Sequence, residues 1–499
     1  MINNVKRKYL IFIAVIFLFV IPISDSTCTN PITGKKEFNI ISLKEEITLG
    51  NRANQELKAR IGFYFNPKLQ KYVNTIGQRL AAVSHRKEFP YYFAILDTPE
   101  INAFALPGGY VYVCRGLLEL MNSEAELASV LGHEIGHVAA RHGVEQLSKA
   151  YGFSLLGLGI GILLQKKGAD PKAQNLINTL INLTMLGYSR KQEYQADLLS
   201  LEYTNKSGFN PMGVVKLLED FKLIEKGTPS KLGTFFSTHP LTTERISKVK
   251  SEIEKLIKDK KAFERPFNNN IYIENIRGLY IGEKPKGGII VKDKWISPNF
   301  KYLFYNIDGF TIKQIDKEFV NFDNKTTDEH ILIEAFIGES LKSSKDISLM
   351  LEKKISTTKI EEQDMTFYKI NAYKAVYNEE NDGVMYVVKR LYMLNGNKAY
   401  ILSYYIPKKL YSESNDKWKI ILNKFKFLTA YEALSYVGDF LRVTVAKPGQ
   451  NFRQIAKIYY KDEGLGKRLA IFNGEADPFY TFKVSKKIKI PPHKRLLNE

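Results

Sequence analysis

The chain has 499 residues, more than one ordinary hydrophobic core accommodates, so roughly two to four domains are expected. Hydrophobic residues at 44% and charged residues at 25% exclude a largely disordered chain. The formal net charge of +20 suits an anionic surface such as phospholipid or cell-wall polymer, or is simply solvated lysine; with no basic-aromatic motif, nucleic acid is not an expected partner.

Lys6, Arg7 and Lys8 form a basic start, and residues 9–21 are an unbroken apolar run. That run falls short of the roughly 20 residues needed to span a bilayer, so residues 1–27 read as a signal peptide, with an uncleaved N-terminal anchor as the alternative. An exported bacterial envelope protein, in the periplasm, is the expectation. Two cysteines, Cys28 and Cys114, exclude a disulfide framework. Cys28 stands where a lipoprotein carries its lipid, yet Asp25, Ser26 and Thr27 depart from the Leu-x-small pattern, so a lipid anchor at Cys28 stays open. Cys114 follows a strand-like run and reads as a buried thiol.

Apolar residues at three- and four-residue spacing predict helices over 43–61 and 67–83. Residues 91–96 are β-like, and 102–113 read as two short strands around Pro107-Gly108-Gly109. Ser123, with Glu126 three residues on, opens a helix predicted to run through His137 to about His142. The apolar, glycine-containing stretch 151–186 predicts a buried or cleft-covering helix. Further helices are expected over 189–205, up to about 224, and over 242–258. Residues 265–430 are rich in Tyr, Ile, Phe, Lys and Asn with alternating runs, which predicts a separate strand-rich α+β domain. Residues 442–492 have a strand, helix, helix, strand pattern, and from Arg442 onward 13 Lys and Arg stand against 5 Asp and Glu.

The chemistry is carried by H-E-I-G-H at 133–137. Residues four apart share a helix face, so His133 and His137 can present imidazoles to one ion. Glu134, one step round the helix, points beside the ion, where it can act as general base on a zinc-activated water and pass the proton to a leaving amine. With seven histidines in the chain, H-E-x-x-H arises by chance in roughly one such chain in 200, though a core histidine pair is the bland alternative. A catalytic zinc needs a third protein ligand and an open position. Glu193, in E-Y-Q-A-D at 193–197, is the best candidate, and Asp197 one turn on would accept a hydrogen bond from a ligand histidine. His142 falls off the metal face of a continuous helix and reads as structural. His239, in F-S-T-H-P-L, could act catalytically on the oxyanion, fill the open metal position at rest, or be an ordinary loop histidine. Arg245 reads as a cation for developing charge or as a salt-bridge partner. As an edge strand beside the metal, Asn102, Ala103, Phe104 and Ala105 would bind an extended substrate backbone; an ordinary core hairpin is the alternative.

Five blocks, at 30–35, 102–109, 123–142, 189–197 and 237–246, resemble in order the gluzincin family of zinc metalloproteases that includes HtpX, BepA and the Ste-type CaaX prenyl proteases. The exported BepA-like branch fits best, because the several membrane spans of HtpX have no counterpart in this sequence. The resemblance implies a mainly helical zincin-like domain over 28–262, one zinc ion per chain on His133, His137 and Glu193, catalysis by Glu134, and protein or peptide substrates. In that branch the loop histidine matching His239 is implicated in regulating zinc access. The tail resembles a LysM module, which implies peptidoglycan as a partner, although Gln450 replaces the usual acidic residue. Residues 295–430, joined by a linker at 263–294, resemble PsbP/Mog1-like α+β modules. The expected fold class is thus α+β, and the expected activity is that of a zinc-dependent metalloendopeptidase acting on envelope proteins in quality control. The rivals are a non-proteolytic chaperone or peptidoglycan-associated scaffold that keeps the fold, and a peptidoglycan hydrolase, whose ligand spacings differ.

Overall fold

A computed structural model describes residues 27–32, 34, 36–38, 41–151, 171–227, 237–239, 243–259, 265–283, 285, 287–355, 357–381, 383–429, 432–433, 436, 438–493 and 496. The expected signal peptide, apart from Thr27, and the glycine-containing run at 153–164 lie outside them. Among the described residues, no helix is long and apolar enough to cross a membrane. The fold is mixed α and β, in two compact units: residues 1–282 with 440–499, and residues 283–439.

The first unit begins with the hairpin β1 (Thr27–Thr29) and β2 (Lys36–Phe38). Helix α1 (Leu43–Arg60) opens on a capping box of Ser42 and Glu45 and buries Leu49, Ala53 and Leu57 at four-residue spacing. Helix α2 (Pro67–Ala81) has Asn66 as its cap and Pro67 in the first turn, where no N–H is missed. Next comes a three-stranded sheet of β3 (Tyr92–Leu96), β4 (Ala103–Leu106) and β5 (Tyr110–Cys114). Its order is β3-β5-β4, with β3 parallel and β4 antiparallel to β5, which leaves β4 on an edge. After α3 (Arg115–Leu120) comes α4 (Glu124–Ala139), buried along almost its whole length.

Helix α4 stops earlier than its sequence predicts. Ala140 caps it, Arg141 takes a left-handed φ of 60°, and a separate helix α5 starts at His142 and ends at Tyr151. Helices α6 (Pro171–Leu186), α7 (Arg190–Lys206), α8 (Gly213–Gly227), α9 (Thr243–Lys258) and α10 (Asn269–Asn275) follow. Helices α4 and α7 pack closely. A Cβ at Gly132 would lie 3.1 Å from Ser200 Oγ, and one at Gly136 would lie 3.1 Å from Leu199 Cβ and 3.2 Å from Ala196 O. The two glycines, one of them inside H-E-I-G-H, thus permit the approach that brings the E-Y-Q-A-D helix against the H-E-I-G-H helix.

The second unit holds two antiparallel sheets. One combines β6 (Ile289–Val291), β7 (Lys294–Ser297) and β8 (Tyr302–Tyr305) with a later short strand, Phe425–Phe427. The other has seven strands: β9 (Thr311–Asp316), β10 (Phe319–Asn324), β11 (Glu329–Ile337), β12 (Thr358–Phe367), β13 (Ile370–Asn381), β14 (Val384–Asn395) and β15 (Lys398–Pro407). Helix α11 (Ser344–Glu352) covers one face over Tyr373, Tyr377, Tyr392 and Ile401; Leu391, Met393, Leu402 and Tyr404 belong to a second core with Trp418 and Phe425. Central strands covered on both faces are buried almost continuously, which is why β14 and β15 lack a polar face.

The boundaries differ from the sequence-based ones. Residues 263–294, expected to be a linker, carry α10, β6 and the start of β7, and the division falls between Gly282 and Glu283. The tail has the expected order of strand, helix, helix, strand: Arg442–Ala446, Phe452–Tyr460, Gly466–Phe472 and Lys486–Ile490, the outer strands antiparallel. Yet it belongs to the first unit. Lys489 is fully buried, and its Nζ donates to the carbonyls of Glu119, Leu120 and Met121 at 2.8, 3.0 and 3.0 Å. Three N–H groups meet three acceptors at the end of α3, the negative pole of that helix. Lys216 Nζ adds a bond to Gly474 O at 2.9 Å. Lys489→Met is expected to lower stability by about 2–4 kcal/mol, since three buried carbonyls lose their hydrogen-bond donors. Urea unfolding measures it, and a change below about 0.5 kcal/mol would show that the tail does not brace the unit.

Candidate metal centre

Four side chains from three places converge. His133 and His137 come from α4, Glu193 from the first turn of α7, and His239 from the segment before α9; one ligand atom from each lies within 4.8 Å of the others, and all four are buried. His133 Nε2 and His137 Nε2 are 3.0 Å apart. Glu193 Oε2 is 3.6 Å from His133 Nε2, and Oε1 is 3.4 Å from His137 Nε2. Two donors about 2.0–2.1 Å from a tetrahedral zinc stand about 3.3 Å apart, so this set fits such an ion in size and chemistry.

His239 closes the group. Its Nδ1 faces Glu193 Oε1 at 3.1 Å, while Nε2 lies 3.3 Å from Ala103 O and 3.8 Å from Glu134 Oε1. The ring therefore sits between the α7 carboxylate and edge strand β4. Within β4, Ala103 presents its carbonyl to the site, whereas the Phe104 side chain joins the core and its ring packs on Tyr112 at 5.2 Å. Asn102 is a local pin: its Oδ1 accepts from Ala103 N at 2.9 Å and from Thr238 Oγ1 at 3.4 Å. Ala105 is buried.

Each donor is held from behind. Asp197 Oδ1 lies 3.0 Å from His133 Nδ1. Arg245 ties the two α7 carboxylates together, with Nη1 2.9 Å from Glu193 Oε2, Nε 2.5 Å from Asp197 Oδ2 and Nη2 2.9 Å from Asp197 Oδ1. It is thus a buried salt-bridge partner, one of its two sequence readings. His142 meets His137 edge to edge, Nδ1 to Nδ1 at 2.8 Å, and its Nε2 lies 3.1 Å from Gln195 Oε1. Tyr188 stacks on the His137 ring with centroids 4.0 Å apart. Tyr188 lies outside the sequence motifs, Gln195 lies within E-Y-Q-A-D at a position to which the spacing assigns no role, and the contact of His142 arises only because α4 breaks at Arg141.

Burial and charged neighbours compete in the electrostatics of the site. Desolvation raises the Glu134 carboxyl above its ordinary value, and the Oε2 of that group has no hydrogen-bond partner. Burial opposes charge on His133, but the hydrogen bonds to Asp197 and Glu193 outweigh it and raise the imidazole to about 10. Burial works against the Glu193 carboxylate too, yet the charge of His239 and the hydrogen bonds of His133 and His137 hold it well below the usual range. Without an ion, then, the carboxylates keep a proton on His133, which a bound cation would displace, whereas burial holds the His137 imidazole well below its ordinary value.

Residues 67–253 match the family model of Peptidase family M48. All four converging side chains, with Glu134, Asp197 and Arg245, lie inside the M48-matching region. The chain is 28% identical over 290 residues to the beta-barrel assembly-enhancing protease of Escherichia coli (strain K12), covering 56% of this chain and 58% of that protein. To the mitochondrial metalloendopeptidase OMA1 of Schizosaccharomyces pombe it is 32% identical over 223 residues, covering 44% of this chain and 64% of the relative. It therefore spans roughly three-fifths of the length of these relatives. A solved structure, cyanobacterial PsbP (CyanoP) from Synechocystis sp. PCC 6803, matches at 12% identity with a TM-score of 0.23, covering 29% of this chain and 98% of that one. That score is too low to speak for a shared fold.

Proposed function

We propose that the chain is an exported zinc metalloendopeptidase that hydrolyses peptide bonds of bacterial envelope proteins, in protein quality control. The observation that carries this reading is the convergence of His133, His137, Glu193 and His239 beside Glu134 within the M48-matching region. The names of the relatives, a beta-barrel assembly-enhancing protease and a metalloendopeptidase, support proteolysis linked to beta-barrel assembly.

His133, His137 and Glu193 would hold a zinc ion, which would supply Lewis acidity for activating water and polarising a scissile carbonyl. Everything else falls to the chain. Glu134 lines a cavity of about 30 Å³, room for about one water, with Ser129, Val130, Ser200 and Leu217. Its raised proton affinity and unpartnered oxygen suit it to take a proton from the attacking water and return it to the leaving amine. His239 occupies the fourth place in the donor group at rest, and substrate entry requires it to swing away. Once it has moved, the Ala103 carbonyl on β4 is free to pair with an extended peptide, as strand addition to a sheet edge does. Retained zinc ligands and an intact Glu134 disfavour the scaffold reading. The tail, with its excess of lysine, is proposed to face anionic envelope polymer, peptidoglycan being the leading candidate. A lipid on Cys28 would hold the protein at the membrane.

The expected result is that purified protein contains one zinc per chain and cleaves casein. EDTA dialysis should remove the activity, and stoichiometric zinc should restore it. Protein that binds no zinc, or that cleaves equally well after chelation, would sink the proposal.

A further inference from the structure

We propose that His142 is a positioning residue for the metal centre, holding the His137 imidazole in the tautomer whose Nε2 faces the ion through a hydrogen-bonded chain that ends on Gln195. The proposal rests on the zinc reading above and adds a residue to it.

A separation of 2.8 Å between His137 Nδ1 and His142 Nδ1 is a hydrogen bond, so one nitrogen carries the proton and the other accepts it. If His137 offers Nε2 to the ion, as its place 3.4 Å from Glu193 Oε1 and 3.0 Å from His133 Nε2 allows, its proton sits on Nδ1 and His142 Nδ1 accepts it. The proton of His142 then sits on Nε2, where Gln195 Oε1 accepts it at 3.1 Å. An amide oxygen accepts and never donates, so the assigned orientation of Gln195 makes the chain run in one direction only. The opposite direction would put a proton on His137 Nε2 and remove it as a ligand.

The two ligand histidines are therefore supported differently. His133 leans on the Asp197 carboxylate, whereas His137 leans on an uncharged imidazole. Outer partners of this sort fix ring orientation as well as tautomer. Here the Tyr188 ring, stacked on His137, holds its plane while His142 holds its edge. The geometry depends on the left-handed turn at Arg141, which folds the start of α5 back on α4. A single uninterrupted helix would carry His142 away from the metal-facing side.

The test uses the full chain, stripped of metal, with zinc affinity measured by chelator competition and the visible spectrum of the cobalt(II) form recorded in parallel. Wild type is measured first: failure to bind either metal ends the zinc reading, and this inference with it. Given a wild type that binds, His142→Leu is expected to weaken zinc about 10- to 100-fold and to alter the cobalt absorption. His142→Asn, whose Oδ1 can stand in for the accepting Nδ1, should stay within about fivefold of wild type. Gln195→Leu, one link further out, should lose about threefold or more and also serves if His142→Leu does not fold. A His142→Leu protein that binds zinc as tightly as wild type with an unchanged cobalt spectrum would overturn the proposal. So would a folded His142→Asn as weak as His142→Leu, or a Gln195→Leu indistinguishable from wild type.

Discussion

Glu134→Gln is expected to reduce casein cleavage by about 10²–10⁴-fold while zinc stays bound at one equivalent. The side chain is buried and lies beside the donor group without belonging to it, so its loss should leave metal affinity nearly unchanged. Glutamine has almost the same shape and keeps an oxygen for His239, whose Nε2 is 3.8 Å from Glu134 Oε1. What it lacks is a group that takes up a proton. Burial raises the carboxyl above its ordinary value, towards the working pH where a general base is most effective. The paired measurement is cleavage rate and zinc content on the same preparation. Residual activity within about tenfold of wild type would remove Glu134 from the role of base, because general-base catalysis contributes at least about a hundredfold. If neither wild type nor variant cleaves casein, the scaffold reading gains at the expense of proteolysis.

How much of this site is legible in the chain depends on how local its signals are. His133, Glu134 and His137 can be read from one helical turn, because four-residue spacing alone places two imidazoles on a face. Glu193 and Asp197 have the same spacing on another helix, but it acquires meaning only beside H-E-x-x-H, since carboxylates four apart decorate many surfaces. The left-handed turn at Arg141 is illegible: such turns are marked by glycine or asparagine, and here an arginine carries the positive φ. The misplacement of His142 follows from that single residue. Lys489 fails for another reason. In K-K-I-K-I it alternates with isoleucine, the pattern of a solvated strand face, yet its acceptors are main-chain carbonyls some 370 positions away, with no side-chain signature. The strand-rich character of the second unit could be read from composition, and the polar run of β12 agrees with its place at the sheet edge, but the pairing order could not, because the apolar content of β13 to β15 does not say which of them are neighbours.

Arg245→Met should destabilise the metal-free protein by about 3–5 kcal/mol, and zinc should recover part of that loss. The guanidinium is buried against two carboxylates that are themselves buried, and its three contacts span both. Methionine keeps most of the volume and removes the charge, so Glu193 and Asp197 lose their fixed cation. The sign of the pH dependence follows from the depressed carboxyls. Burial opposes the Asp197 carboxylate, but the charge of Arg245 and its hydrogen bonds outweigh that and hold the group below its ordinary value; Glu193 is depressed by its histidines. Groups of this kind contribute stability that is present above the unfolded carboxylate range, near pH 4, and is lost as pH falls through the folded values. The gap between wild type and variant should therefore be largest near neutrality and shrink under acid. Zinc supplies a second cation to Glu193 but not to Asp197, so a smaller gap should persist in saturating metal. Arg245→Lys should not rescue fully, since a single ammonium cannot span both carboxylates as a planar fork does. Urea unfolding in EDTA and in excess zinc, at neutral pH and near pH 4, measures all of this. A variant as stable as wild type in EDTA, or a gap that widens on adding zinc, would show that Arg245 does not neutralise the acidic side of the metal cage.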